Sequence, residues 1–240
     1  MEFKDEEAKE NRLWGNIREF TLSERIIKKI NKRNVKNVAD IGCGDGFLLY
    51  SLSKKRKDIQ ELYGIDYSNT RLDRIRRINK RIIPVKADVT SLPFEKDSFD
   101  VVICSEVLEH IKEYEKAMKE LIKIAKNQLI LTVPNDQKLM KILCPHCKKH
   151  HYVAGHINRF NPIKLKKALL SSAGDKTIKI TFEKFHTIYT YNTLTKKIPA
   201  FIRIILDKFF TSLESIIPFM KPNYLMAIIT IKRKDKKENE

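Results

Sequence analysis

The chain has 240 residues, of which 42% are hydrophobic and 32% are charged, and its formal net charge is +18. This length and apolar content can fill one sizeable core, which excludes global disorder and leaves little room for two full domains. The apolar runs are far shorter than the roughly 20 residues needed to span a bilayer, and the charged N-terminus lacks the apolar stretch of a signal peptide. We therefore expect a globular, cytoplasmic protein.

The surplus of lysine and arginine has two interpretations. Clustered basic residues bind polyanions such as RNA, or an acidic membrane surface, because they release condensed counterions. Here, however, lysine is spread along almost every segment, as is also typical of ion-rich surfaces. The charge therefore leaves a nucleic-acid partner open without requiring one.

The chain begins with a polar helical leader, residues 1–34, in which Ser23 is the predicted N-cap of a helix with Ile26, Ile27 and Ile30 on one face. Short apolar runs then alternate with helical segments. Five strands are predicted in this part of the chain: VKNVADIG, ELYGID, IIPVKAD, FDVVICS and QLILTVP. FDVVICS is continuously apolar, which indicates a strand buried on both faces. Alternating strands and helices form parallel βαβ units with right-handed crossovers.

The rhythm changes after Pro134, where a Cys/His-rich insertion occupies residues 136–160. Asn161 and Pro162 are the predicted N-cap and first residue of a helix. Two more strands, TIKITFEKF and YLMAIITIKR, flank a helical cap at 192–222, and residues 233–240 form a charged tail. The prediction is an α/β, Rossmann-like domain over 35–232, with a seven-stranded, mostly parallel, doubly wound sheet and helices on both faces.

The segment VADIGCGDGFLL places Gly42, Gly44 and Gly46 in a turn between the first strand and a helix, where open α/β sheets bind ligands. The spacing is G-x-G-x-G, unlike the G-x-G-x-x-G of dinucleotide-binding turns. A pyrophosphate needs a helix N-terminus free of anions, whereas S-adenosylmethionine (SAM) carries a sulfonium and an ammonium. Asp40 and Asp45 beside the turn therefore favour the cationic ligand.

Two further aspartates end the next two strands. Asp66 ends the second strand, where a carboxylate accepts hydrogen bonds from both ribose hydroxyls. Asp88 follows the third, where it is placed to bind the adenine amino group beside the Val89 backbone. The simpler alternative is that these aspartates only cap helices. That alternative explains one aspartate more readily than the whole set.

Four motifs in order, VADIGCGDG, LYGIDYS, ADVTSLPFEKDSFDVVICSEVLEHI and LILTVPN, cover roughly residues 35–135. On these motifs the chain resembles the class I SAM-dependent methyltransferase superfamily, and within it the group related to the ubiquinone/menaquinone methyltransferases. The resemblance implies that Asp40, Gly42 and Gly44 line the methionine and ribose portion of SAM. It further implies roles for five residues around the rest of the cofactor: Asp66 on the ribose, Tyr67 beside the adenine, Asp88 and Val89 on its edge, and the Ser105 carbonyl on the ammonium.

Methyl transfer from a sulfonium mainly requires positioning of the acceptor, so a base is optional. His110, in SEVLEHI, is the candidate general base for a hydroxyl or phenol acceptor; Glu106 and Glu109 are weaker candidates, and all three also fit a purely structural role. By resemblance, His156 and Phe160 face the acceptor.

The insertion also contains a Cys-Pro-x-Cys motif, which is typical of a zinc knuckle. The predicted metal ligands of a structural zinc site are Cys144, Cys147, His150 and His151. Free thiols or a disulfide are the alternatives, and His156 cannot serve both a metal and an acceptor.

The apolar, lysine-flanked cap is expected to close over the active site; contact with a membrane surface or homodimerisation are alternatives. The predicted function is SAM-dependent methyl transfer to a small-molecule or lipid-like acceptor. Methylation of RNA or protein through the basic surface is the main alternative. A catalytically inactive binding module and a nicotinamide-dependent oxidoreductase are the remaining two, and the intact motifs and the glycine spacing disfavour them.

Overall fold

The computed structural model describes residues 17–32, 34–185 and 223–233. The start of the predicted leader, the predicted cap at 192–222 and the tail after residue 233 lie outside the described residues.

Nine strands are described. In chain order they are β1 (Asn37–Ile41), β2 (Glu61–Asp66), β3 (Ile82–Lys86), β4 (Phe99–Ser105), β5 (Ala125–Pro134), β6 (Lys141–Leu143), β7 (His150–Tyr152), β8 (Lys176–Phe185) and β9 (Tyr224–Arg233).

Five α-helices accompany these strands. They are α1 (Ile17–Lys29), α2 (Phe47–Lys55), α3 (Asn69–Ile78), α4 (Tyr114–Ile124) and α5 (Pro162–Ser172), and short 3-10 turns cover Leu108–His110 and Val153–Gly155.

Seven strands form one sheet in the order β3-β2-β1-β4-β5-β9-β8. All neighbours are parallel except β9, which runs antiparallel to both β5 and β8. The predicted mostly parallel, Rossmann-like sheet is therefore confirmed. The order reverses between β1 and β4, and the crevice at their carboxyl ends is the usual ligand site of such sheets.

The central strand β4 is buried on both faces, as its continuous apolar run predicts. Val102 and Cys104 of β4 belong to one buried cluster with α4 and α5, whereas Val101 and Ile103 belong to another with α1, α2 and α3. Successive strand residues point to opposite faces, so an apolar strand between two helical layers buries nearly all its side chains.

Local capping explains where two helices begin. The Ser68 side chain accepts a hydrogen bond from the Arg71 amide at the start of α3, and Asn161 accepts one from the Lys164 amide at the start of α5. Both caps agree with the sequence. The predicted N-cap at Ser23 is wrong: Ser23 lies within α1 and is 4% exposed, because the apolar face of that helix extends back beyond it.

A buried lysine at the start of β8 contacts the C-terminal end of α4. The Lys176 ammonium donates to the carbonyls of Ile122, Lys123 and Ala125 at 2.6–3.0 Å and pairs with Asp97 at 2.7 Å. A buried ammonium needs several acceptors to replace its lost hydration. This cluster fixes the end of the sheet away from the crevice.

Candidate functional site

The glycine turn after β1 is held against the end of β2. The amides of Gly42 and Cys43 both donate to the Ile65 carbonyl, at 2.7 and 3.0 Å. The Gly44 amide donates to Asp66 Oδ2 at 3.0 Å. The turn and the second strand therefore form one rigid unit at the crevice.

Two glycines are required for different reasons. Gly42 has φ of 72°, and a Cβ at this position would lie 2.3 Å from a Val107 side-chain carbon. Gly44 has φ of 56°, but a Cβ there would have nothing within 4 Å. Gly42 thus allows close packing of the turn against the end of β4, while Gly44 leaves open space for a ligand beside bare backbone.

Two adjacent cavities open at the carboxyl ends of the parallel strands. The smaller, of about 150 Å³, is lined by four of the predicted cofactor residues: Asp40, Gly42, Gly44 and Ser105. The larger, of about 670 Å³, is lined by Gly42 again and by five other predicted residues: Asp66, Tyr67, Asp88, Val89 and His110. The structure therefore brings all the predicted cofactor residues and the predicted base to one continuous region.

Asp40 is the most perturbed carboxyl of this region. Its side chain lies at the sheet end with only 3% of the residue exposed. Burial, assisted by the negative charge of Asp66, raises the pKa of Asp40 to about 7. A buried carboxyl that titrates near neutrality is stabilised as an anion when a cation binds beside it.

Asp66 accepts bonds from the surrounding backbone through both oxygens. Oδ2 accepts from the Gly44 amide, and Oδ1 accepts from the Ser68 amide at 2.8 Å. Arg71 lies 3.7 Å from Oδ2. Each carboxylate oxygen can accept a second bond, so the structural role in the turn leaves capacity for hydroxyl donors in the larger cavity.

Asp88 is exposed and remains on the rim of the larger cavity. Its Oδ1 accepts from both the amide and the hydroxyl of Thr90 at 2.8 Å, and these bonds lower the pKa of Asp88. The neighbouring Val89 is buried. Asp88 is therefore an oriented anion with Oδ2 available to a donor.

The end of β4 lies where the two cavities meet. The Ser105 hydroxyl is 2.7 Å from the Thr132 hydroxyl, which in turn donates to Glu106 Oε1 at 3.3 Å. Glu106 lines both cavities and has φ of 57°. Such a backbone conformation is strained for a residue with a side chain, and strain of this kind concentrates at functional sites.

His110 lies on the wall of the larger cavity with a defined ring orientation. Its Nδ1 is 3.2 Å from the Gly155 carbonyl, which can only accept. In the neutral ring, Nδ1 therefore carries the proton and Nε2 keeps its lone pair. This is the tautomer in which Nε2 can accept a proton.

The two residues expected to face the acceptor occupy different surroundings. The His156 ring packs edge-on against His110, with centroids 4.8 Å apart, and its Nδ1 is 2.6 Å from Gln137 Oε1. Phe160 is 1% exposed and packs edge-on against Tyr114. Phe160 therefore has no surface for a small molecule, because the core has absorbed its ring, and only His156 remains beside the candidate base.

The turn that carries His110 is hydrogen-bonded to the last part of the insertion at residues 136–160. The amides of Ile157 and Asn158 donate to the Glu109 carbonyl, and the Asn158 side-chain amide donates to the carbonyls of Leu108 and Ile111. These contacts explain how residues far apart in sequence, His110 and His156, come together.

The predicted metal ligands lie away from the cavities, on the hairpin formed by β6 and β7. The donor atoms of Cys144, Cys147 and His151 lie within 4.8 Å of one another, and His150 is not part of this group. The predicted four-residue set is thus reduced to three convergent side chains among the described residues.

The contribution of α1 was not predicted in detail. Glu19 lines both cavities, and Leu22, Ser23 and Ile26 line the smaller one. The sequence shows only an amphipathic helix in a polar leader, and nothing in its spacing identifies the crevice as its partner.

The donor set fits a cationic nucleoside better than a diphosphate. Asp40 and Asp45 line the smaller cavity at the N-terminus of α2, where they would repel phosphate. The same carboxylates would attract an ammonium or a sulfonium, and the open space beside Gly44 admits the ligand.

Residues 39–132 match the family model described as a methyltransferase domain. This region is therefore similar to methyltransferase domains. The match ends within β5. It therefore includes the glycine turn and the carboxyl ends of β1 to β4, but not the β6–β7 hairpin.

Curated relatives are similar to about half of the chain. An uncharacterised protein of Methanocaldococcus jannaschii is 36% identical over 118 residues, 48% of each chain. A demethylmenaquinone methyltransferase of Staphylococcus saprophyticus is 31% identical over 131 residues, 52% of this chain and 56% of its own. The chain thus spans about half the length of the curated relatives that it matches.

The fold extends beyond this matched region. A methyltransferase from Haloferax volcanii, solved in complex with the Trm112 methyltransferase activator, superposes with a TM-score of 0.62, 14% identity and coverage of 93% of this chain and 94% of that chain. At this identity the likeness concerns the fold alone.

Among the described helices, none is long and apolar enough to cross a membrane.

Proposed function

We propose that this protein transfers the methyl group of SAM to a small-molecule or lipid-like acceptor. The proposal rests on the two joined cavities at the carboxyl ends of the parallel strands. Asp40 in β1, Asp66 at the end of β2 and Asp88 after β3 line these cavities, and the backbone at Gly44 is open to a ligand. When bound, SAM supplies a methyl group already activated by its sulfonium.

Each cavity is proposed to bind a different part of SAM. Asp40 and the Ser105 carbonyl bind the cationic amino-acid end in the smaller cavity. Asp66 binds the ribose hydroxyls, while Asp88 and the Val89 backbone bind the adenine edge in the larger one. Charged hydrogen bonds of this kind contribute about 1.5–3 kcal/mol each, enough to select a cationic nucleoside.

The acceptor is proposed to lie beside His110. The wall around it combines the apolar side chains of Val107 and Ile111 with the imidazole, which suits a small, mostly apolar molecule with one ionisable group. His110 Nε2 would remove a proton from a hydroxyl or phenol, and Gly155 would hold the ring in the required tautomer. The staphylococcal relative is named for a demethylmenaquinone acceptor, which supports a small, mostly apolar acceptor here.

Binding is tested by calorimetry with SAM, its demethylated product and NAD. We expect the first two to bind and NAD not to bind. Asp66→Asn should weaken SAM binding at least tenfold, since it replaces a charged acceptor by a neutral one. Asp73→Asn, an exposed aspartate on α3 paired with Arg76, is the matched control and should leave affinity unchanged. Tight NAD binding would contradict the proposed cofactor.

The acceptor class is tested by transfer of a labelled methyl group from SAM onto separate lipid, small-molecule, RNA and protein fractions. Label in the lipid or small-molecule fraction is expected. Label confined to RNA or protein would retain the methyltransferase and overturn the acceptor class.

A further inference from the structure

A second cluster of reactive side chains lies outside the cavities, on the hairpin β6–β7. The loop at residues 144–149 is folded tightly, because the Cys144 amide donates to the Lys149 carbonyl at 2.9 Å and the Lys148 amide donates to the Cys144 carbonyl at 3.0 Å. Lys148 has φ of 54°, which completes the reversal of the chain. The loop thereby brings both cysteines to the start of β7.

The donor atoms of this cluster converge on one point. The sulfur atoms of Cys144 and Cys147 and a ring nitrogen of His151 lie within 4.8 Å of one another, and Cys147 Sγ is 3.1 Å from His151 Nε2. A tetrahedral zinc ion with bonds of about 2.3 Å to sulfur and about 2.0 Å to nitrogen separates two sulfurs by roughly 3.8 Å and sulfur from nitrogen by roughly 3.5 Å. The donors therefore need to move by only about 1 Å or less to reach that geometry.

The loop also directs backbone donors at one of the two sulfur atoms. The amides of His146 and Cys147 point at the Cys144 sulfur. A cysteine binds metal as the thiolate, and backbone donors aimed at sulfur stabilise that form.

We propose that Cys144, Cys147 and His151 bind one zinc ion, with a solvent molecule as the fourth ligand. Two thiolates and an imidazole are the donor set that zinc prefers, and binding releases the thiol protons to solvent. The site is independent of the proposed methyl transfer, because none of its ligands lines either cavity.

The ion would fix the hairpin from its tip. At the other end of the hairpin, the Val153 amide donates to the Met140 carbonyl, and the chain continues directly to Gly155, whose carbonyl contacts His110. Zinc would therefore stabilise the hairpin that leads to Gly155 and so to the His110 wall of the larger cavity. The role of the ion would be structural, since its ligands line neither cavity.

His150 provides a matched control. It is exposed, adjacent to His151 on the same short strand, and points to the opposite face because strand side chains alternate. His150→Ala should retain the metal, whereas His151→Ala should weaken zinc binding at least tenfold, and Cys144→Ser should do the same. His150 and His151 are exposed and Cys144 is half-buried on the hairpin, outside the core of the sheet, so the variants should fold.

Metal content of the purified protein gives the first measurement. We expect one zinc per chain in the protein and in His150→Ala, and substoichiometric zinc in His151→Ala and Cys144→Ser. Replacement of zinc by cobalt should give the sulfur-to-cobalt charge-transfer band and the intense visible bands of tetrahedral coordination. Loss of zinc from His150→Ala equal to that from His151→Ala would overturn the ligand set.

Thiol reactivity under reducing conditions gives an independent measurement. Cys43 and Cys104 are buried, so Cys144 and Cys147 should dominate the reaction with a thiol reagent. Zinc should protect both, and a chelator should expose two reactive thiols per chain. Metal-free protein that takes up no added zinc, or a Cys144–Cys147 disulfide that persists in reductant, would overturn the proposal.

Discussion

Replacing Asp40 with asparagine should stabilise the ligand-free protein above pH 7 and at the same time weaken its binding of SAM. The carboxyl is almost fully buried at the end of β1, and its pKa is raised to about 7 by burial and by the charge of Asp66. Asparagine keeps the size and the polar character of the side chain but cannot ionise. The variant therefore isolates the free energy of the buried charge.

The magnitude follows from linkage. The folded protein holds the Asp40 proton up to a pKa of about 7, whereas the unfolded chain releases it near the ordinary aspartate pKa of 3.8. The free energy of unfolding of the wild type should therefore fall, relative to the variant, as pH rises from about 4 to about 7, by ~4 kcal/mol in total. Above that window the difference should be constant.

Chemical denaturation of both proteins at a series of pH values measures this difference directly, and the surface variant Asp73→Asn should show a flat difference. Calorimetry just below the pKa of Asp40, in buffers of different ionisation enthalpy, should show proton release when SAM binds to the wild type, and less release for Asp40→Asn. SAM affinity of the variant should fall about 10- to 100-fold. A pH-independent difference in stability would refute the burial of a titrating Asp40.

Three further outcomes are expected. His110→Gln should lower kcat by a factor of about 100 or more at neutral pH if the acceptor must lose a proton, while SAM affinity stays unchanged; an unaltered kcat would remove the base role. Gly42→Ala should abolish SAM binding and lower the melting temperature, since the new methyl would lie 2.3 Å from a Val107 carbon. Lys176→Met should reduce the free energy of unfolding by about 3 kcal/mol or more, because the buried Asp97 loses its cationic partner, and SAM affinity of the folded protein should not change.

The order of strands and helices and the glycine turn could be read from the sequence because both are local properties. Continuous apolar runs mark strands buried on both faces, and the caps at Ser68 and Asn161 follow from one side chain and the next helical turn. The N-terminal boundary of α1 could not be read this way, because Ser23 looks like a cap but is held inside the helix by packing.

Residues close together at strand ends were also predictable as a group. Asp40, Asp66 and Asp88 come to one crevice because the carboxyl ends of parallel strands share one edge of the sheet. Phe160 illustrates the limit of that reasoning. Its motif suggested contact with an acceptor, but the ring packs against Tyr114 in the core, and no local pattern distinguishes those two places.

The sequence by itself therefore determined the doubly wound sheet, the carboxylate-lined glycine turn and the grouping of cysteines and histidines on the hairpin, since each depends on spacing along a few residues. Tertiary structure alone decided the titration of Asp40, the tautomer of His110 and the convergence of His151, rather than His150, with the two cysteines. These properties depend on burial and on contacts such as His110 with Gly155, which lie 45 positions apart in the chain. Desolvation and long-range hydrogen bonds exist only once the chain has packed, so composition and spacing cannot report them.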